Sequence, residues 1–276
     1  MSFEFPEARL LAGQLDETIN GKTIESYDLK DYEKIHRIGF INRNLDDFKR
    51  LVGRRIKGAG SSGNTIRVRL EREMNLLLAP EYGGVILYHR AGDDSSKYHL
   101  RLDFSDGDSL TVRLTSMGVI YAALDDQLDD VYIYRRDYRG APSPVDLTRE
   151  RFTKLITSKA TQLKPLLVGK DAIMTGLSNS AFQDVLYRAG IHPHRKASEL
   201  TPEQVEALYS AIRTLVEERL SLGGKDEVVN LFGKLGGYTP VMGPNMKDKV
   251  CSRCGANVEK MAHGGGQVYY CPGCQK

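Results

Sequence analysis

The pattern of apolar and polar residues divides the chain into a strand-rich first half and a helical second half. Residues 7–20 carry apolar side chains at helical spacing, and Gly21 is the kind of residue at which a helix ends. From about residue 23 to residue 134, short runs such as 66–70 and 110–114 alternate apolar and polar residues, as half-buried strands do. Turn-forming sequences separate these runs. We therefore predict an antiparallel sandwich or barrel in this region.

Helical patterns follow a segment at residues 138–146 that holds two prolines and a glycine and is the best linker candidate. Three helices are predicted beyond it, at residues 148–158, 162–167 and 178–190. The longest helix begins at Thr201, which is followed by Pro202 and by Gln204 in a capping box. Residues 233–249 are rich in glycine and are predicted to be irregular.

Composition indicates an ordinary globular chain of roughly two domains with a small appendage. It has 276 residues, of which 41% are hydrophobic and 27% are charged. No apolar run approaches the ~20 residues that a membrane-spanning helix needs, and the acidic start does not suit a signal peptide. We therefore expect a cytoplasmic monomer without a membrane partner. The net charge of +3 does not establish a polyanionic partner, although a local basic face would suffice for one.

The four cysteines form the strongest chemical signal in the chain. They are spaced Cys251-x2-Cys254-x16-Cys271-x2-Cys274 and all lie in the last 26 residues. Each Cys-x2-Cys pair forms a tight turn that directs two thiolates to one point, and the residues between the pairs can form a hairpin. The spacing predicts one structural zinc ion (Zn2+) in a small ribbon, with redox thiols or an iron–sulfur cluster as alternatives. A closed four-thiolate site would contribute folding energy rather than catalysis.

The hairpin between the cysteine pairs has a glycine-rich tip at residues 263–267. Glycines there would let the backbone approach another surface closely, while a tip without any contact is the alternative. We expect His263 to be an ordinary exposed histidine, because four cysteines already complete the metal site.

Six motifs along the chain have counterparts in one family of proteins. They are Phe5-Pro6-Glu7, Gly53-Arg54-Arg55-Ile56-Lys57, Lys164-Pro165-Leu166-Leu167, Thr175-Gly176-Leu177-Ser178-Asn179, Tyr187-Arg188-Ala189-Gly190-Ile191-His192-Pro193 and the four-cysteine ribbon. Together they resemble the formamidopyrimidine-DNA glycosylase and endonuclease VIII family of base-excision repair enzymes. The resemblance spans essentially the whole chain and is most specific from residue 162 to residue 193 and in the ribbon.

The resemblance implies a multi-domain α+β protein. A β-sandwich domain with a leading helix would occupy residues 1–137, a helix–two-turn–helix DNA-binding domain residues 146–243, and a zinc ribbon residues 247–276. Double-stranded DNA would lie in the cleft between the two halves. Such enzymes flip a damaged base out of the stack and attack the sugar C1′ with the N-terminal amine. They then release the base and cleave the strand by elimination.

The resemblance carries phosphate contacts over to two residues. Asn179 matches the family's phosphate-binding asparagine, and it lies at a predicted helix start, where free N–H groups favour a phosphate. A plain helix N-cap is the alternative. Lys57 matches a phosphate-contacting lysine. An apparent insertion at residues 58–64 follows it, and a solvated lysine is the alternative.

The catalytic residues that the resemblance implies are Ser2, Glu4 and Glu7. Glu4 would move protons at the opened sugar, and Glu7 would cap the first helix and hold the site. A first-turn acid without a catalytic role is the alternative for Glu7. The proline whose amine is the family's nucleophile aligns with Phe3, and one more residue precedes it. Removal of Met1 would leave Ser2 as a primary amine, displaced by up to ~3.6 Å along the chain.

Other positions depart from the family pattern. The methionine that wedges into DNA aligns near Glu81, the arginine that fills the emptied base site with Ser116, and the aromatic wedge with Met117. Met117 can still insert into DNA as an apolar wedge. The ribbon arginine that clasps a phosphate aligns with Gly266. These losses weaken the expectation of standard catalysis.

The residues leave three functions open. The first is a DNA glycosylase and abasic-site lyase that excises oxidised bases through an N-terminal amine. The second is a DNA-binding relative that keeps the clamp and has lost the chemistry. The third is a zinc-bearing protein-interaction domain without DNA. Lys57, Asn179 and the ribbon favour DNA. We therefore predict a repair-type glycosylase fold that binds damaged duplex DNA, with its enzymatic activity left open.

Overall fold

In the computed structural model, residues 3–93, 97–169 and 172–276 are described, and the chain divides into two compact units. The first unit consists of Met1–Gly140 with Gly223–Gly237, and the second of Ala141–Leu222 with Tyr238–Lys276. The first boundary therefore falls inside the segment 138–146 that its prolines and glycine mark as a linker. The three-part division expected from the sequence stays a prediction.

The first helix, α1, spans Phe5–Ile19 and begins two residues earlier than its apolar pattern predicts. Glu4 is its N-cap, and a capping box joins Glu4 to Glu7. Pro6 fits the first turn because a proline lacks the N–H group that would be unpaired there. One face of the helix is buried in the core of the first unit, through Ala8, Leu11, Ala12, Leu15 and Ile19.

Two four-stranded antiparallel sheets form the body of the first unit. The strands are β1 (Ile24–Leu29), β2 (Ile56–Ser62), β3 (Thr65–Leu70), β4 (Met74–Ala79), β5 (Val85–His89), β6 (Leu100–Phe104), β7 (Ser109–Arg113) and β8 (Val119–Leu124). The sheet orders are β1-β6-β7-β5 and β2-β3-β4-β8. Both sheets contribute to one apolar core, in which Leu76 of β4 and Leu110 of β7 are buried. The predicted antiparallel sandwich is confirmed.

The apparent insertion after Lys57 is part of a strand and its turn. Residues Gly58 to Ser62 continue β2, which pairs with β3 through a turn at Gly63. The register shifts between Ile56 and Gly58, so Lys57 lies at a bulge. Gly58 has a φ of 144°, and a Cβ atom there would lie 2.8 Å from Asp16 Oδ1. The extra residues therefore lengthen a hairpin that packs on α1.

Four helices and the ribbon hairpin make up most of the regular structure described in the second unit. The first unit also contains two short helices, α2 (Glu33–Arg37) and α3 (Tyr132–Tyr138). The elements of the second unit are α4 (Arg149–Thr157), α5 (Leu163–Val168), α6 (Asn179–Ala189), α7 (Pro202–Ser221), β9 (Glu259–His263) and β10 (Gly266–Tyr270). Thr148 caps α4, and Thr201 caps α7 in the predicted box with Gln204. All four predicted helices are confirmed within two residues, because their start and stop signals are local.

The described residues contain no helix that is both long enough and apolar enough to cross a membrane.

Candidate functional site

The four cysteines converge at one point. Their Sγ atoms all lie within 4.8 Å of one another. The Sγ atoms of Cys254 and Cys271 are 3.4 Å apart, and those of Cys251 and Cys274 are 3.7 Å apart. Thiolates at the corners of a tetrahedron around zinc are separated by about 3.8 Å, given a Zn–S bond of about 2.3 Å. The four thiols therefore fit a tetrahedral metal ion and can hold one.

Neighbouring groups prepare the ribbon for a metal and join it to α6. The hydroxyl of Tyr187 lies 3.2 Å from Cys251 Sγ. Burial opposes ionisation, but the bonds from Tyr187 and from backbone N–H groups lower the pKa of Cys251 to about 6. Gln275 accepts from the N–H of Cys271 at 2.8 Å and donates to the carbonyl of Ile191 at 2.9 Å. These bonds explain why so small a hairpin keeps a defined position in the second unit.

Asn179 is the first residue of α6, but it is not the N-cap. The cap is Ser178, whose side chain accepts from the N–H of Ser180. The amide of Asn179 instead donates to the carbonyl of Gln267 in the ribbon at 2.8 Å. Its Oδ1 atom is buried and has no hydrogen-bond partner among the described residues. The N-cap alternative for Asn179 is therefore wrong, because the serine before it has the extended backbone that a cap requires.

Lys164 lies beside Asn179 and is a candidate that the sequence analysis missed. It is 7% exposed, and its ammonium donates to the carbonyl of His263 at 2.5 Å. A Cβ atom at Gly266 would lie 3.6 Å from Lys164 Nζ and 3.7 Å from Asn179 Nδ2. Burial lowers the pKa of Lys164. The place where the family pattern has an arginine therefore adjoins a lysine and an amide. Lys164 lies in the motif at residues 164–167, and that motif was the signal that could have identified it as a site residue.

The sequence predicted an exposed His263, but this prediction is wrong. The side chain is buried, with 8% of its surface exposed. Its ring stacks on Phe182 of α6 with centroids 6.0 Å apart, and lies 4.8 Å from the ring of His194. Burial lowers the pKa of His263, and so do the nearby His194 and Lys164. The ribbon tip therefore packs against the helical part of the second unit, which a local reading of the glycines could not establish.

A second cluster, the acid cluster, lies in the first unit and consists of Glu4, Glu7 and Lys225. Glu4 is 1% exposed and Glu7 is 4% exposed. The N–H of Glu4 donates to Glu7 Oε2 at 3.2 Å, and the N–H of Lys225 donates to Glu7 Oε1 at 3.2 Å. The ammonium of Lys225 lies 3.7 Å from Glu4 Oε2. Both acids were predicted as site residues from the sequence, whereas Lys225 was not.

The amine that the sequence predicts at Ser2 lies outside the described residues. Phe3, which takes the place of the family's proline, is 5% exposed and belongs to the apolar core of the first unit. It also lines a cavity of about 160 Å³ together with Gly84 and Val228. Residue 3 is thus used as a core side chain.

The comparisons with known proteins agree with this geometry. The profile of the formamidopyrimidine-DNA glycosylase N-terminal domain matches residues 3–115, and that of the formamidopyrimidine-DNA glycosylase H2TH domain matches residues 141–229. A formamidopyrimidine-DNA glycosylase of Pelotomaculum thermopropionicum is 30% identical over 239 residues, which cover 84% of this chain and 86% of that relative. The chain belongs to the formamidopyrimidine-DNA glycosylase family. The protein of that name from Brevibacillus brevis is 28% identical over 293 residues, covering 99% of both chains.

Solved structures of this family share the fold. Lactococcus lactis Fpg in a complex with DNA that contains an abasic site has a TM-score of 0.85 at 22% identity, with 99% of each chain covered. MutM in complex with DNA that contains carbocyclic 8-oxo-G has a TM-score of 0.84 at 23% identity, again with 99% of each chain covered. Such a likeness establishes the fold of this family member. Its chemistry must be argued from its own residues.

The remaining candidate residues of this family member lie in the first unit and are not part of the acid cluster. Lys57 is exposed, and its ammonium lies 3.0 Å from Glu71 Oε1. Met117 is 45% exposed in the loop between β7 and β8. Glu81, at the position of the family's methionine wedge, accepts from Asn64 at 2.9 Å and from Arg136 at 3.1 Å. Met117 is therefore free to meet a partner, whereas Glu81 is engaged in polar contacts within the unit.

Proposed function

We propose that this chain is a DNA-repair glycosylase and abasic-site lyase that binds damaged duplex DNA and excises oxidised bases. The observation that carries the proposal is the convergence of Lys164, Asn179 and Gly266 at the start of α6. A buried ammonium, an amide and the positive end of a helix dipole form a site suited to an anion.

A DNA phosphate is the anion that suits the site. Phosphate oxygens accept charge-assisted hydrogen bonds from an ammonium and from amide N–H groups. Phosphate contacts position a protein on DNA without reading its sequence. In this proposal Lys164 supplies the positive charge that an arginine at position 266 supplies in the family pattern, and Asn179 fixes the register. Lys57 would contact a second phosphate after releasing Glu71, and Met117 would insert as an apolar wedge.

The ribbon would serve the phosphate site through one structural zinc ion. Cys251, Cys254, Cys271 and Cys274 would hold it, and the closed set of thiolates leaves no position for catalysis at the metal. The carbonyls of His263 and Gln267, both in the hairpin, hold Lys164 and Asn179. Metal binding would therefore fix the hairpin that orients both phosphate ligands.

The chemistry would take place at the acid cluster. Glu4 would move protons at the opened sugar, and Glu7 would hold the start of α1 and the backbone of Lys225. The N-terminal amine of Ser2 is one candidate for the nucleophile. The specific observation that favours the second function, a DNA-binding relative without catalysis, is the burial of Phe3 at the nucleophile position.

A binding measurement tests the proposal. We would measure fluorescence anisotropy with three duplexes: one with an uncleavable abasic analogue, one with an oxidised purine, and one undamaged. We expect tighter binding to the two damaged duplexes. Asn179→Ala and Lys164→Met should each weaken binding about tenfold. Lys164→Met should also make binding less salt-dependent by about one counterion, whereas Asn179→Ala, which removes no charge, should leave the salt dependence unchanged. Lys154→Met, an exposed residue of α4, is the matched control.

Equal affinity for damaged and undamaged duplexes, or no effect of either substitution, would contradict the proposal. The proposal also includes one protein molecule per lesion and a cytoplasmic location. Light scattering behind size-exclusion chromatography, with and without the duplex, measures the stoichiometry.

A further inference from the structure

The acid cluster contains a lysine that is completely buried, which is unusual for this residue type. The side chain of Lys225 is 0% exposed, and its ammonium lies 3.7 Å from Glu4 Oε2. It also lies 3.9 Å from Glu227 Oε1, on a side chain that is 47% exposed. Lysine is almost never fully buried unless it is paired, because the charge must leave water. Removal of a lysine from water is also a way in which enzymes obtain a reactive amine, because burial disfavours the charged form.

The backbone around Lys225 holds this amine in place from both sides. Its N–H donates to Glu7, and its carbonyl accepts from the N–H of Val228 at 3.0 Å. A Cβ atom at Gly236 would lie 2.1 Å from the carbonyl oxygen of Gly224, so only a glycine lets the backbone at residue 236 approach the backbone at residue 224 this closely. Lys225 is therefore placed by the fold next to the start of α1.

Phe3 leaves the family's nucleophile position without a free amine. The nitrogen of residue 3 is in a peptide bond with Ser2, and the side chain is a core phenyl ring. Glu4 nevertheless keeps its place one residue later, as the N-cap of α1. The acid that would serve the reaction is thus present, and the ammonium of Lys225 lies beside it.

We propose that Lys225 is the reactive amine of this site and forms a Schiff base with C1′ of an abasic deoxyribose. The inference rests on the proposed function, because it needs a damaged duplex as substrate. Both Lys225 and Glu4 are covered in the DNA-free chain. Any route by which the sugar reaches Glu4 therefore also brings it to an amine 3.7 Å away.

The reaction balances with the groups that are present. The ammonium of Lys225 gives a proton to Glu4, which leaves a neutral amine and a carboxylic acid. The amine attacks the C1′ aldehyde of the ring-opened sugar, so that an N–C bond forms and the C=O π electrons become a lone pair on oxygen. Glu4 protonates that oxygen, then takes one proton from the nitrogen and passes it to the same oxygen. The oxygen leaves as water as the C=N bond forms, and Glu4 ends as a carboxylate. Amine and aldehyde give imine and water.

Other charged groups around the pair bear on its proton. Glu227 adds a second carboxylate near the ammonium, and Glu7 holds the backbone N–H of Lys225. The hydroxyl of Tyr82 is close enough for burial and the charges of Glu81 and Glu4 to raise its pKa. In the reactive state the proton of Lys225 is shared with Glu4, which is the nearer carboxylate.

Borohydride trapping followed by peptide mapping tests the proposal. The full chain is incubated with a duplex that contains one natural abasic site, reduced and digested, and the adduct is located by mass spectrometry. We expect the adduct on the peptide that contains Lys225. A chain with an acetylated N-terminus should be trapped as well as the unmodified one. Lys225→Arg keeps the positive charge but not the nucleophilic amine, and should be trapped at least about 100-fold less. Lys234→Arg, an exposed lysine of the same segment, is the control.

Binding of the uncleavable abasic duplex by each variant separates the possible failures. Lys225→Arg should bind it within about threefold of the unmodified chain, because the charge is kept. An adduct on the N-terminal residue would overturn the proposal, and so would tight binding of abasic DNA with no adduct. If the unmodified chain binds damaged and undamaged duplexes equally well, the proposed function itself is overturned. If Lys225→Arg does not fold, the residue that carries the adduct in the unmodified chain still shows whether Lys225 is the reactive amine.

Discussion

The proposed phosphate site of the second unit, formed by Lys164, Asn179 and Gly266, and the acid cluster of the first unit differ from the family pattern in different ways. In the phosphate site an arginine of the family pattern is absent at Gly266, but a buried lysine lies within contact distance of that position. In the acid cluster both glutamates are kept, while the nucleophile position is a core phenylalanine. The first site lacks one cation of the family pattern but keeps a lysine, which belongs to a motif of that pattern, beside the vacated position. The second has kept its acids and changed the residue that must form a bond.

The comparison teaches that electrostatic sites tolerate substitution better than covalent ones. A phosphate is attracted by any cation at the right distance, and an ammonium can take the place of a guanidinium with some loss of geometry. A nucleophile must supply a free lone pair at the reacting carbon, and a displacement of about 1 Å can cost about 100-fold in rate. We therefore expect changes in the second unit to alter affinity, and changes in the acid cluster to alter rate alone.

Removal of the metal should have the largest effect. The ribbon has too small a core to fold without it, so metal removal should release Lys164 and Asn179 from the hairpin. We expect a strong chelator, or Cys271→Ser, to weaken binding of damaged duplex at least about 100-fold. Elemental analysis should find one zinc per chain before treatment. Undiminished binding by the metal-free chain would show that the two sites do not differ in the way proposed.

Glu4→Gln should have the next largest effect, and on rate alone. The amide keeps the shape of the side chain but cannot exchange a proton, so strand cleavage at an abasic site should fall by about 100-fold or more. Affinity for the uncleavable abasic duplex should stay within about threefold, since no phosphate contact is lost. Single-turnover cleavage assays on a labelled duplex measure the rate. A fall in affinity as large as the fall in rate would contradict the separation of the two sites.

Gly266→Arg should sharpen the comparison with a gain of function. The new side chain would start 3.6 Å from the Lys164 ammonium and 3.7 Å from the Asn179 amide, which are ordinary contact distances. We expect the arginine to tighten binding less than about tenfold, because its charge would lie close to the Lys164 ammonium and repel it. In Lys164→Met the same arginine should restore most of the lost affinity. Anisotropy titrations of the two single variants and the double variant form the required cycle.

His263 should give the smallest effect, as a pH dependence of stability. Burial lowers the pKa of this imidazole below its ordinary 6.5, so the folded chain favours the neutral form. Stability is then full above the unfolded pKa and falls as the pH drops through 6.5 towards the folded pKa, because the unfolded chain takes up the proton first. His263→Asn should remove part of this slope, with a Tm difference of about 2–4 °C or less between pH 7.5 and pH 5.5. Parallel melting curves for both proteins would refute the assignment.

Local signals in the sequence were enough to predict the secondary-structure elements and the four-thiol cluster. Helix limits at Thr148, Thr201 and Gly190 depend on caps within a few residues, and local signals of this kind are legible without a structure. The alternation of apolar residues predicted the strands, and the cysteine spacing predicted the four-thiol cluster. The resemblance in the motifs at residues 162–193 predicted the family to which the chain belongs.

Contacts between residues far apart in the sequence became known from the folded structure. Lys225 contacts Glu7 at the start of α1, although the two residues are 218 positions apart in the sequence. Lys164 contacts His263, which is 99 positions away. No local pattern records such contacts, because they depend on how whole elements pack. The same packing buries His263, which its glycine neighbours suggested would be exposed, and makes Ser178 rather than Asn179 the cap of α6. Burial and long-range pairing give these side chains their charge environment, and with it the chemistry proposed for them.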